Sequence, residues 1–327
     1  MKKIISLILL CAVISAVFIS CGGKTVKVPK AENDMTVFTL GGKKINYDYV
    51  KYIFLNTKAD FEYGEGSDYW ESNPDALNEL KAATLETIVH NRAIEMLAER
   101  YKVTLTEEEK KSVNDLYKEL KSDKAGWEEA KKENYLTDYS FVELQRFSVI
   151  WGKIYTHLIS LENGIIKSDD KTVLDDVPIN FRNIRYVYIA YDKTNKAEKT
   201  ALAEEVLAKA NAGEDFIELI KTYGEDTTMA NYINVGYYYT VGSINQTVEN
   251  EAEKLEIGEI SPIVDVKDGF FIIQRIALDL EYAEKNVALF ADQYLARRFN
   301  EMVAEIEKDM EMVFTDFWNG LTLDDIK

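Results

Sequence analysis

Cysteine, histidine and proline are scarce in this chain of 327 residues, which has two, two and four of them. Two cysteines cannot build a disulfide framework, and two histidines added to them fall short of the usual Cys/His zinc set. Four prolines exclude a proline-rich linker protein. Positive charge is also in deficit: Lys plus Arg total 39 against 57 Asp plus Glu, a net charge of −18. No Lys/Arg cluster outweighs its acidic neighbours, which excludes nucleic acid as a partner. The same deficit excludes docking to an anionic bilayer by charge alone. Catalytic glycine motifs are missing too. There is no Gly-x-Ser-x-Gly elbow, Gly64-x-Gly66 has no third glycine, and Gly41-Gly42-Lys43 has no upstream partner. Asp169, Asp170, Asp175 and Asp176 lack calcium-loop spacing, and His90 and His157 lie far apart on helical stretches. These residues point to no metal, no cofactor and no hydrolase or oxidoreductase chemistry. Apolar residues are not in short supply, since 46% of the chain is hydrophobic and 12% aromatic. The chain is folded rather than disordered.

The long apolar run Ile4 to Ile19 follows Lys2 and Lys3. At about 16 residues it is short of the roughly 20 needed to span a bilayer, and it fits the core of a secretory leader. The run closes on Phe18-Ile19-Ser20-Cys21 before Gly22-Gly23. A small residue before Cys with glycines after it resembles a bacterial lipobox, with Phe18 where Leu is usual. An uncleaved anchor and a standard secretory signal with an incidental Cys are the alternatives. The lipobox reading makes residues 1–20 a leader and Cys21 the lipidated first residue, exported and anchored on the periplasmic or extracytoplasmic face of a bacterial membrane. Cys11 then leaves with the leader and Cys21 is blocked, which excludes a Cys nucleophile. Loss of Lys2 and Lys3 takes the charge balance to −20. Lipid contributes roughly 0.8 kcal/mol per buried CH₂, so more than one acyl chain is needed for stable anchoring. Residues 21–36 read as a polar tether.

Val37 to Leu40 is a strand candidate followed by a Gly41-Gly42 turn. Residues 37–165 are then mostly helical. Tyr49, Val50, Ile53 and Phe54 share one helical face, as do Leu80, Ile88 and Leu97 on a longer helix. Thr106 with Glu109 is a capping box, and Phe141 to Ile154 marks another helix. The acidic stretch Ser168 to Asp176, punctuated by Pro178, reads as a boundary. Residues 180–278 alternate differently, as strand Ile184–Tyr191, helices over 196–211 and 216–223, strand Val235–Tyr239, helix Val248–Leu255, and a hairpin across Lys267-Asp268-Gly269. This is an α+β domain with antiparallel pairing. Residues 281–327 read as a C-terminal helix packing on the helical region, with Met312-Val313-Phe314 a short strand.

One set of residues in the α+β region is specific. Gly213-Glu214-Asp215-Phe216 precedes Asp226, Gly236-Tyr237-Tyr238 follows, then Leu255-Glu256-Ile257-Gly258-Glu259-Ile260-Ser261 and Gly269-Phe270-Phe271-Ile272-Ile273. It resembles the parvulin-type peptidyl-prolyl isomerase domain across about Arg182 to Leu278. The lipobox, the strand-turn opening and the helical region resemble the extracytoplasmic foldases of the PrsA/SurA type. The resemblance implies a parvulin-like antiparallel sheet with flanking helices, joined to a mostly helical SurA-N-like chaperone region built from both ends of the chain.

Carried over residue by residue, the family's first-strand His falls on Tyr186 or its neighbour Arg185, and its Cys-or-Asp on Asp226. Its proline-pocket Met falls on Ile244, the pocket Phe on Val248, and its second His on Phe271. Both imidazoles are absent. The resemblance therefore implies Asp226 and Tyr186 as catalytic candidates and Ile244, Val248, Phe271 and Tyr238 as substrate-binding candidates. An X-Pro bond rotates over a barrier of about 18–20 kcal/mol, and a catalyst must bind the twisted amide better than either planar form. With the His pair replaced, the expectation is weak catalysis by a folding factor that acts on unfolded or nascent secreted or envelope proteins at proline-containing segments. A binding-only chaperone on the same fold is the alternative. A solute-binding lipoprotein needs two lobes of alternating strands and helices, and the long helical first half speaks against it.

Overall fold

The computed structural model describes residues 29–63, 69–160, 162 and 164–326. The leader, Cys21 and the first part of the tether lie outside the described residues. In chain order the first elements are β1 (Thr36–Leu40), β2 (Lys43–Asn46), α1 (Tyr47–Glu62), α2 (Tyr69–Ser72), α3 (Ala76–Arg100), α4 (Glu107–Ser122), α5 (Lys124–Glu133) and α6 (Asp138–Ile159). Then come α7 (Asp170–Asn180), β3 (Phe181–Ala190), α8 (Lys196–Asn211), α9 (Phe216–Tyr223), α10 (Thr227–Tyr232), β4 (Tyr237–Thr240) and α11 (Gln246–Lys254). The last are β5 (Val264–Val266), β6 (Gly269–Ile276), α12 (Leu280–Lys285), α13 (Val287–Lys308), β7 (Met312–Phe314) and α14 (Asp316–Asn319). The architecture is α+β, with antiparallel sheets, as read from the sequence.

The chain divides into two compact units, one drawn from Met1–Asn163 and Phe299–Lys327, the other Gly164–Arg298. The second division falls inside α13. Within the second unit Arg297 pairs with Asp176 of α7, and Phe290 packs edge-on against Phe181 at 5.3 Å. Both α7 and the start of α13 are thereby tied to β3. The stretch read as an acidic boundary is helical. Asp169 caps α7 through the Thr172 N–H, and Val173 and Val177, four apart, are both buried. Pro178 lies in the last turn, where its missing N–H forgoes the bond to the Leu174 carbonyl.

In the first unit β1 is flanked by β2 and β7, with Phe38 opposite Ile45 on one side and Phe314 on the other. Its inward residues Val37, Phe38 and Leu40 are fully buried, each contributing roughly 1.5–3 kcal/mol of apolar burial. Asn46 caps α1 and the Thr106–Glu109 box caps α4. Helix α5 has one buried apolar anchor, Trp127, which gives no periodicity to read; its ring packs on Phe141 at 5.1 Å and Tyr117 at 5.9 Å.

Asp138 fastens that cluster. It accepts hydrogen bonds from the Tyr117 hydroxyl (2.7 Å), the Trp127 indole N–H (2.9 Å) and Lys121. Burial raises its pKa, but these donors outweigh burial and hold the carboxyl well below its ordinary value. A depressed folded-state pKa contributes stability that is present above the unfolded value near 4 and is lost as pH falls toward the folded one. Asp138→Asn is therefore expected to cost about 1–2 kcal/mol at pH 7, a figure kept low because Lys121 is half in water. The difference from wild type should shrink steadily below about pH 4. Urea titrations of the Trp fluorescence at pH 7 and pH 3 check this, and an unchanged difference rules it out.

The second unit is built on a sheet of order β4-β3-β6-β5. β6 pairs with β3 over its whole length, from Ile276 opposite Asn183 to Gly269 opposite Ala190. The run Ile184 to Ile189 is β-branched or aromatic at almost every position, which suits a central strand buried on both faces. The Leu-x-x-Gly-Glu-Ile-Ser segment runs beside β6 as an irregular strand. Gly258 N–H donates to the Arg275 carbonyl (2.8 Å), Arg275 N–H to Glu259 (3.1 Å), and Ser261 N–H to Ile273 (2.8 Å). The buried Ser261 hydroxyl in turn accepts from the Ile273 N–H (2.9 Å). This part of the pattern holds the sheet together and does not contribute a reacting group.

Candidate functional site

Alternation along β3 and its neighbours sorts the candidate residues onto two faces. Tyr186 and Tyr188 share a face with Tyr237 of β4, paired next to them through Ile184, and with Phe271 of β6, paired to Tyr188. Their rings form one group. Phe271 lies 4.8 Å from Tyr188 and 5.2 Å from Tyr186, and Tyr237 lies 6.2 Å from Tyr186. Tyr232 of α10 extends the group, 6.4 Å from Tyr237. Tyr186 is 6% exposed, while Tyr188, Tyr237 and Phe271 are only partly buried. The result is a half-open aromatic surface.

Asp226 stands beside this surface. The Tyr186 hydroxyl donates to its Oδ2 at 2.6 Å across 40 residues of sequence. Its Oδ1 accepts the Thr228 N–H at 2.7 Å and so caps α10. The two sequence-level readings of Asp226, helix cap and site residue, thus describe the same side chain. Burial first, and then the adjacent carboxylate, push the Tyr186 phenol well above its ordinary value, so it stays a neutral donor.

Glu225 sets the position of Asp226, and sequence reasoning missed it. Its backbone N–H donates to the Tyr188 carbonyl (2.9 Å), and its carboxylate accepts the Ala190 N–H (2.8 Å) and pairs with Lys199 (2.5 Å). The turn before α10 is therefore laced to β3. Arg185, the other candidate for the first-strand position, points to the opposite face by alternation. It donates to the carbonyls of Ile233 (2.9 Å) and Asn234 (2.8 Å) and anchors the chain after α10.

The structure does not bring all the sequence candidates together. Tyr238 lies one residue from Tyr237, so its side chain is on the face opposite Tyr186. There it is 8% exposed, stacks on Tyr282 at 5.8 Å, meets Phe290 edge-on at 5.0 Å and accepts the Asp279 N–H. It is packed as core. Val248, in the first turn of α11, is 4% exposed and belongs to the apolar core. Ile244, just before α11, is partly buried against the same core. The convergent set is thus Asp226, Tyr186 and Phe271, joined by Tyr188 and Tyr237, which only the strand register reveals.

Comparison with known proteins bears on the same region. A profile of the PPIC-type PPIASE domain family matches residues 165–277. The foldase protein PrsA of Geobacillus sp. (strain WCH70) is 26% identical over 243 residues, covering 72% of this chain and 73% of that protein. The foldase protein PrsA of Bacillus subtilis (strain 168) is 23% identical over 223 residues, 68% of each chain. The crystal structure of PrsA from Bacillus subtilis is similar with a TM-score of 0.30 at 19% identity, covering 72% of this chain and 87% of that one.

Proposed function

From a chain that is a parvulin-type, PrsA-like foldase, and so an extracytoplasmic folding factor, we propose a division of labour in which binding dominates over catalysis. The aromatic surface of Tyr186, Tyr188, Tyr237 and Phe271 receives a proline-containing segment of a client protein. Asp226 and Tyr186 supply the polar contacts. The chain is held to the membrane by lipid on Cys21.

The observation that carries weak catalysis is the Tyr186–Asp226 hydrogen bond. Lowering the barrier requires a polar group free to favour the pyramidal nitrogen of the twisted amide. Here the Tyr186 hydroxyl donates to Asp226, and both Asp226 oxygens already accept protein donors. No imidazole is present among the convergent residues to take that part. Each tenfold of acceleration needs about 1.4 kcal/mol of preferential binding to the twisted form, and the groups that would provide it are committed to each other. Apolar contact with the proline ring is unaffected by this.

Cis–trans exchange in a proline tetrapeptide, followed with and without the full chain, tests the reading. The expected result is a small acceleration beside clear suppression of aggregation of an unfolded client. Efficient turnover that Asp226→Ala abolishes would overturn it in favour of a true isomerase. Failure to suppress aggregation would remove the chaperone part. Release of the chain from membranes by Cys21→Ser is the corresponding expectation for the anchor, read by fractionation.

A further inference from the structure

β7 is a short, wholly apolar edge strand. Among the described residues β1 pairs with one side of it and nothing pairs with the other. Gly41 N–H donates to the Glu311 carbonyl (2.9 Å) and Thr315 N–H to that of Val37 (3.4 Å). In an antiparallel ladder these bonds at 311 and 315 turn the groups of Val313 toward β1. The N–H and C=O of Met312 and Phe314 therefore point away from the sheet.

The side chains continue an apolar face past its cover. Met312 and Phe314 lie opposite Leu40 and Phe38, both fully buried, and the Phe38 and Phe314 rings meet edge-on at 6.1 Å. Yet Met312, Val313 and Phe314 are 43%, 54% and 38% exposed. Natural edges are guarded by brevity, Lys, Pro or a bulge; β7 is short, but its three residues are all apolar and in regular register. Its flanks are acidic. Asp309, Glu311 and Asp316 are all exposed, and none makes an ion pair among the described residues, while Lys308 is the one cation between 308 and 316.

We infer that β7 takes up an added strand from an unfolded client, an extended segment apolar at alternate positions and flanked by Lys or Arg. Backbone groups of Met312 and Phe314 pair with it, and its inward side chains rest on those two residues. The acidic flanks choose the sign of the partner. They also oppose a second copy of this chain, because antiparallel pairing of β7 with itself sets the acidic ends of two chains of net charge −18 together. That the partner is a client rests on the folding-factor reading; the surface itself is separate from the Tyr186–Asp226 site.

The probe is a fluorescein-labelled peptide, Lys-Lys-Val-Thr-Val-Thr-Val-Lys-Lys, titrated into the full chain. Saturation is expected to slow hydrogen exchange at the Met312 and Phe314 amides at least tenfold. Met312→Pro deletes an outward N–H without touching the β1 ladder, and Val313→Lys places a cation on the edge. Each is expected to weaken binding tenfold or more, as is exchanging the peptide's lysines for glutamates. Circular dichroism checks the folding of Met312→Pro; if it is unfolded, Val313→Lys decides. Asp226→Ala should leave this binding intact, so failure here and failure of the parvulin site are read apart. Binding unchanged within twofold in the folded variants overturns the inference. So does equal affinity for the Glu-flanked peptide, or a wild-type dimer that Val313→Lys makes monomeric.

Discussion

Gly236→Ala is expected to unfold the second unit at a temperature more than about 10 °C below wild type. Gly236 has φ +84°, a conformation open to glycine at no cost and costing other residues about 1–2 kcal/mol. It also has no room. An added Cβ would lie 2.2 Å from Asn183 Oδ1 and 2.5 Å from Ile276 Cδ1. Asn183 does not yield easily. Asn183 is buried and donates from Nδ2 to the Val235 carbonyl (2.9 Å) and the Ala277 carbonyl (3.3 Å), bridging the ends of β4 and β6. Backbone strain and overpacking together amount to about 2–5 kcal/mol. Calorimetry of the full chain reads this as a shift of one transition. A shift below about 3 °C would mean that the turn into β4 relaxes freely and that Gly236 is not the pivot of this sheet edge.

The second large effect belongs to Asp226. Asp226→Ala removes the α10 cap, worth about 0.5–2 kcal/mol, and leaves the buried Tyr186 hydroxyl without its acceptor, a further penalty of about 1–3 kcal/mol. A total of about 2–4 kcal/mol is expected from urea unfolding, since the two effects share one turn. Asp226→Asn keeps one acceptor oxygen for the Thr228 N–H and turns an N–H toward the Tyr186 hydroxyl, which can rotate to accept it, and should lose only about 1 kcal/mol. The two contributions separate in a cycle with Tyr186→Phe. In that background there is no hydroxyl to orphan, so Asp226→Ala should cost only the cap. A coupling of about 1–2 kcal/mol is the expected signature of the pair. Strict additivity would mean that the 2.6 Å contact contributes nothing and that Asp226 is a cap alone.

Much of this was legible before any coordinates. β-branched and aromatic density marked β3, the Ala/Glu/Lys/Leu run marked α8, and Lys267-Asp268-Gly269 marked the hairpin between β5 and β6. The strand at Met312 to Phe314 was also legible, though not that it would pair with β1 from the far end of the chain. Short helices were harder. α10 has six residues and α5 one buried apolar anchor, too little for a helical period to show. At the site, residue type nominated Asp226, Tyr186 and Phe271 through a resemblance, and the same route nominated Tyr238. A pair of adjacent tyrosines in a strand gives no sign of which one faces the site until the register is fixed. The role of Glu225 had no signal at all, because an acidic residue before a helix ordinarily reads as a solvated start.

What the chain alone determined was composition and local preference. Scarcity of His and Cys and the acidic balance set expectations about chemistry and partners, and side-chain periodicity carried the α+β class that the structure shows. These follow from properties each residue carries wherever it sits. Which residues meet is a different matter. The bond between Tyr186 and Asp226, the burial of Tyr238 and Val248, and the bare outer edge of β7 depend on strand register and on how distant segments close. A one-residue slip reverses every side chain in a strand, so only the assembled sheets could decide them.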